Sequence, residues 1–139
     1  MQIRFLAPGD EDLLVRAVAF IEEGAIGRAK AEAHLRDADL VSLAALDGDE
    51  ILGFAYGYVL RRFECTSFFV YSIDVAEHAQ RRGIGKAMLA ALRGRARQEG
   101  WDEGFVFTNA ANTAAMALYA RAGGIRPNPD DVMFDFDYR

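Results

Sequence analysis

The chain has 139 residues, 52% hydrophobic and 27% charged, which specifies one domain spanning 1–139 with its own core and excludes a disordered composition. Its net charge of −5 argues against general nucleic-acid binding, which needs a basic stripe on a basic domain. A single cysteine, Cys65, rules out an internal disulfide framework and suits a reducing compartment. Two distant histidines, His34 and His78, argue against a zinc site, so no metal is expected.

The first dozen residues carry no sustained apolar run, so no signal peptide or membrane span is expected, and the expected location is cytoplasmic. Leu13, Leu14, Ala17, Val18 and Ile21 recur at helical spacing between Asp10 and Glu23, with Asp10 as the cap and Gly24 and Gly27 as breakers. A second short helix is predicted over Lys30 to Arg36. The acids Glu22, Glu23 and Glu32 either line a pocket or are the ordinary charge of exposed helix faces. Leu40–Leu46 and Ile51–Leu60 read as strands joined by the hairpin turn Asp47-Gly48-Asp49-Glu50. Gly53 and Gly57 inside the second strand mark a bulge or close packing. After the turn at Arg61–Glu64, the aromatic and β-branched run Phe68–Val75 is a third, buried strand.

The organising stretch follows. Gln80-Arg81-Arg82-Gly83-Ile84-Gly85-Lys86 links that strand to a helix with Ile84, Met88, Leu92 and Ala96 at helical spacing, ending near Gly100. Glycines here let the backbone turn and a ligand approach, and the first helical amides with the helix dipole favour an anion. Arg81, Arg82 and Lys86 add positive charge, so the simplest ligand is a phosphate or pyrophosphate. A nucleotide P-loop is excluded because Gln80 stands at its first glycine and Ala87 at its Ser/Thr. A dinucleotide fingerprint is excluded because Met88 stands at its third glycine. An ordinary strand-to-helix turn with a solvated basic patch is the plain alternative.

Phe105–Thr108 reads as the next strand. Asn112–Ala122 reads as the next helix, closed by Gly123-Gly124 and bearing Asn112-x-x-Ala115-x-x-Leu118-Tyr119. Val132–Tyr138 reads as a closing strand, with Phe134 and Phe136 on one face and Asp135 and Asp137 on the other.

With both motifs in this order among these elements, the chain resembles the GCN5-related N-acetyltransferases (GNAT) from end to end. The resemblance implies an α/β (α+β) fold: a central mixed, mostly antiparallel sheet of six to seven strands, flanked by about four helices and splayed at an acetyl-coenzyme A site. Coenzyme A or its acetyl form is the implied co-substrate. By resemblance Gln80, Arg81, Arg82, Gly83, Ile84, Gly85 and Lys86 hold its pyrophosphate and Ile73 to Val75 pair with the pantetheine. Asn112 lies near the cofactor arm and Tyr119 by the sulfur. Leu43-Ala-Ala-Leu-Asp, Gly53, Tyr58-Val-Leu-x-x-Phe63-Glu64, Tyr71 and the Val132-Met133 ending also resemble the aminoglycoside 3-N-acetyltransferases of this fold. That group tends to carry an aspartate directly after the strand tyrosine. This chain has Ser72 there and its acid at Asp74, on the same face of a strand but about 7 Å further along.

The expected chemistry is direct attack of an amine on the thioester in a ternary complex. Asp74 or Glu64 is the base or the counter-charge for a cationic acceptor, an amide near Val75 polarises the carbonyl, and Tyr119 is the acid toward sulfur. Asp135 and Asp137 join Glu64 and Asp74 as candidate acceptor-binding acids, or form a solubilising edge. The alternatives are acetylation of another amine (a polyamine, a small metabolite or a protein N-terminus), a non-catalytic acetyl-coenzyme A-binding module, or a simple anion site. No nucleic-acid or membrane partner is expected, and a homodimer is left open.

Overall fold

In the computed structural model, which describes residues 1–139, a five-stranded sheet runs in the order β1 (Gln2–Phe5), β2 (Leu40–Asp47), β3 (Glu50–Arg61), β4 (Thr66–Val75), β5 (Glu103–Val106). Every neighbouring pair is antiparallel except β4 and β5, so the sheet is mixed and mostly antiparallel. The β4–β5 crossover contains α3 (Ile84–Glu99), as a parallel pair requires.

β2 is buried on both faces because each face meets a helical layer. Val41, Leu43 and Ala45 pack with Ile84, Met88 and Leu92, which recur every four residues down α3. Ala44 and Leu46 pack with Leu14 and Ala17 of α1 (Glu11–Phe20) and Ala31 of α2 (Arg28–Arg36), together with Phe54. Burial of each large side chain contributes about 1.5–3 kcal/mol. Both helices fall close to their predicted ranges. Asp10 stands at the cap of α1 but turns its carboxylate back to the Ala7 N–H and to Arg4. The last helix, α4 (Thr113–Arg121), packs on α3 and has no fully buried residue.

Both strand glycines have packing reasons. At Gly53 a Cβ would lie 2.9 Å from the Met88 methyl, where α3 crosses the sheet; at Gly57 it would lie 2.1 Å from the Phe69 carbonyl oxygen. Gly57 adjoins a β-bulge. Tyr56 opposes Ser72 and Gly57 opposes Val70, which leaves Tyr71 without a partner. The extra residue reverses the alternation along β4. Phe68 and Val70 face α3, and beyond the bulge Ile73 and Val75 take over that role.

Two strand expectations are corrected. β1, short and alternating between exposed and half-buried residues, was not anticipated. Val132–Tyr138 forms no strand, so the sheet has five strands and not six or seven. The alternation there is real, but a strand also needs a neighbour to take its backbone hydrogen bonds, and this segment has none.

Candidate active site

The β4–β5 ladder stops early. Its last pair is Val70 with Val106, so the carboxyl half of β4, Tyr71 to Val75, has β3 on one side and an open edge on the other. The Ala76 N–H donates to Leu52 O of β3 at 2.8 Å. Because backbone direction alternates along a strand, the N–H groups of Ile73 and Val75 point into the gap. The gap is therefore lined by peptide groups that need partners.

It leads to the basic loop. After a 3-10 turn at Glu77–Ala79, Arg81 takes φ +64 and Gly83 φ +78. A left-handed arginine is uncommon, and such outliers gather at ligand clamps. The amides of Arg81, Arg82 and Gly83 meet no acceptor, and the first helical hydrogen bond is Ala87 N–H to Gly83 O. The amides of Ile84, Gly85 and Lys86 are thus free as well, at the positive end of a helix. Arg81, Arg82 and Lys86 are exposed and make no ion pair. Gly85 has a packing role, since a Cβ there would lie 2.9 Å from Leu118 Cδ2 of α4.

Asp74 lies on the face opposite α3, where the Ser72 hydroxyl donates to its Oδ2 at 2.6 Å. With Phe20, Ile21 and Glu22 at the end of α1, and Glu77 and His78, it lines a cleft of about 520 Å³. The cleft is acidic. His78 Nε2 is turned to Glu50 at 2.7 Å. Nearby, the Tyr56 hydroxyl donates to Glu23, and the rings of Tyr56, Tyr58 and Tyr71 meet edge-on or tilted at 5.5–6.2 Å. Burial, aided by Glu23, pushes the Tyr56 phenol well above the usual phenol range.

Tyr119 stands half-buried on α4, beside a groove that also has Val106 on its wall. Burial raises its phenol above the ordinary value, and the Asp74 charge raises it further. The Asp74 charge is thus felt at the Tyr119 phenol, although the two side chains line different cavities.

The other expected residues fall elsewhere. Asn112 caps α4, its Oδ1 accepting from the Ala115 N–H at 3.1 Å. Gln80 reaches towards Val75 O at 3.5 Å. Glu64 sits in the exposed turn at the far end of the β3–β4 hairpin, roughly 25 Å from Asp74 along the strand. Asp135 and Asp137 lie in the exposed tail, where Asp137 binds Arg139 and is held below the usual carboxylate range by the Arg139 backbone N–H and side chain. Glu22 lines the cleft and Glu23 accepts from the Tyr56 hydroxyl, whereas Glu32 pairs with Arg28. Tyr56 was missed. The aromatic residues repeated at Phe54, Tyr56 and Tyr58 were its only signal.

Residues 12–124 match the model of the acetyltransferase (GNAT) family. The chain is 34% identical over 96% of its length to a mycothiol acetyltransferase of Pseudarthrobacter chlorophenolicus, and it spans 45% of that relative's length. An aminoglycoside acetyltransferase from an uncultured soil sample superposes with a TM-score of 0.91 at 26% identity, covering 99% of this chain and 98% of that one. The aminoglycoside acetyltransferase AAC(6')-Iy, bound to a bisubstrate analogue of coenzyme A and acetylneamine, gives 0.83 at 19% identity, covering 99% and 98%. An open strand edge that runs into a bare cationic amide loop, in a chain matched over most of its length, places this protein in the GNAT family of acetyltransferases.

Proposed function

We propose that the chain transfers an acetyl group from acetyl-coenzyme A to a primary amine of a polycationic acceptor, an aminoglycoside above all. The observation that carries this reading is the continuous line of unpaired donors from Ile73 and Val75 to the amides of residues 81–86, with three unpaired cations beside it. A chain of amides ending in a pyrophosphate matches that line group for group. The amides of Ile73 and Val75 pair with the pantetheine, and the loop takes the phosphates.

Bound there, acetyl-coenzyme A supplies the activated acyl carbon. Asp74 accepts the proton of the acceptor ammonium, directly or through a water. A backbone N–H near Val75 that the pantetheine does not occupy steadies the carbonyl oxygen. Tyr119, kept protonated by its surroundings, gives a proton to sulfur as the C–N bond forms and the C–S bond breaks, and the second proton shed by the acylated nitrogen restores the phenol. Glu64 is too remote to share the base role, and Glu22 and Glu77 provide counter-charge for the acceptor. The 3-amino group is the nitrogen proposed for first mapping.

The mycothiol acetyltransferase relatives favour a second acceptor class, a mycothiol-type amine. Thiol release from acetyl-coenzyme A, followed across aminoglycosides, mycothiol-type amines, polyamines and peptides, tests both. Fast release with aminoglycosides alone is expected. Release only with another amine replaces the acceptor and keeps the reaction. Coenzyme A binding without release from any amine overturns catalysis in favour of a binding module.

A further inference from the structure

The connection between α1 and α2, residues 21–27, has little hydrogen bonding of its own. The Ile21 and Glu22 N–H groups still donate back to Ala17 O and Ala19 O of α1, and the next backbone donor to find a carbonyl is Ala31 in α2. Glu22 is left-handed at φ +59, and Gly24 follows at φ +95. A glutamate has no preference of its own for that region, so contacts from outside the connection hold it there.

Those contacts can be named. Ile21 and Ile26, near its two ends, pack on the core that α1 and α2 share with β2 and β3. Between them a side-chain hydrogen bond reaches the sheet, the Tyr56 hydroxyl donating to Glu23 Oε2. No ion pair involves residues 21–27.

Tyr56 is itself firmly seated. Its ring centre lies 5.5–6.4 Å from those of Tyr71, Phe54, Tyr58 and His34. Burial, and then Glu23, hold its phenol protonated, so it stays a donor throughout the working range. It opposes Ser72 in the β3–β4 ladder, and the Ser72 hydroxyl donates to Asp74. Glu23 is thus tied to the part of the sheet that carries Asp74.

Glu22, one residue before Glu23, lines the cleft with Asp74 and Glu77 and pairs with nothing. On an unheld connection its carboxylate would take many positions, and ordering it would cost binding energy each time a cation arrived. Held, it is ordered beforehand.

We propose that Tyr56 is a positioning residue for the acceptor: by holding Glu23 it fixes Glu22 relative to Asp74, and so matches the cleft to the spacing of ammonium groups on a polycationic amine. It does not touch the reacting atoms. The role rests on the cleft taking such an amine, as proposed above.

The test uses the full chain and needs no turnover. Tyr56→Phe keeps the ring in its cluster and removes the hydroxyl. Backbone order parameters of residues 22–26, from nuclear relaxation, should fall below about 0.6. By calorimetry the Kd for a polycationic aminoglycoside should rise about two- to fivefold, the worth of one exposed ion pair, with the Kd for coenzyme A unchanged. Glu23→Gln keeps a carbonyl oxygen for the phenol and should retain most of the affinity, whereas Glu23→Ala should behave like Tyr56→Phe. In a Glu22→Gln background Tyr56→Phe should add nothing, because the group through which Tyr56 acts is gone. Unchanged order parameters in Tyr56→Phe would overturn the holding role. Loosening without loss of affinity, or equal losses in Glu23→Gln and Glu23→Ala, would overturn its link to the acceptor. An unaltered chain that binds no polycationic amine would overturn the acceptor reading and this role with it, whatever the order parameters.

Discussion

At the scale of the residue, the Asp74–Tyr119 pair has the clearest consequences. A phenol raised by burial and by a nearby carboxylate keeps its proton throughout the working range, which is the state a general acid needs. Tyr119→Phe should lower kcat by about 10²-fold or more while leaving the KM for acetyl-coenzyme A nearly unchanged. Unchanged turnover in steady-state assays would remove the phenol from the reaction. The pH dependence follows from the sign of the shift. A raised pKa moves deprotonation to higher pH, so kcat should show no alkaline fall from this group below about pH 10. Asp74→Asn takes away one of the two causes of the shift and should bring the Tyr119 titration, followed by ultraviolet difference spectra, to lower pH.

At the scale of the element, the approach of α3 to α4 rests on one missing methyl group. Gly85→Ala would put a Cβ 2.9 Å from Leu118 Cδ2, the far end of a side chain that can give way, and alanine is the better helix former, so the expected net cost is under about 1 kcal/mol, read as a small change in Tm. At the other end of the sheet, Glu11 opens α1. Its own backbone N–H, then that of Gly9, hold its carboxyl below the usual range against burial, which opposes them by more than either Arg28 or Arg36 adds. A lowered carboxylate stabilises the fold above the pKa of the unfolded chain and loses that contribution as pH falls through its own. Glu11→Gln should therefore flatten the acid limb of Tm against pH below about pH 4, with little change near neutrality. Elements whose signal is local were legible in the sequence: α3 from Ile84, Met88 and Leu92, the hairpin from Asp47-Gly48, the loop from Gly83 and its arginines. β1 was not, because four residues carry too little periodicity. The tail was misread as a paired strand because alternation reports a face to be buried and says nothing of who buries it.

At the scale of the molecule, the same limit divides what the sequence revealed of the site. The proposed cofactor loop is contiguous, so it could be read. The proposed acceptor cleft is assembled from the end of α1, the start of β3 and the end of β4, and its membership depends on a bulge at Tyr71 that turns Asp74 to that side. The product is a separation of charge: Arg81, Arg82 and Lys86 at the mouth of the gap, and Glu22, Asp74 and Glu77 around the cleft. Fields of this kind draw a polycation to the cleft over distances comparable with the Debye length, about 10 Å at 0.1 M salt. They affect capture more than chemistry. Raising salt from about 0.05 to 0.5 M should thus increase the KM for a polycationic aminoglycoside several-fold, with a smaller change in kcat. A monoamine acceptor should respond much less, because it has only one charge for the field to hold. Glu22→Gln should reproduce part of the salt effect at low ionic strength, since it removes one source of the field without touching Asp74 or Tyr119. A KM that is flat with salt for the polycation would mean that the cleft recognises its acceptor by shape and hydrogen bonds, and that its acids serve the fold.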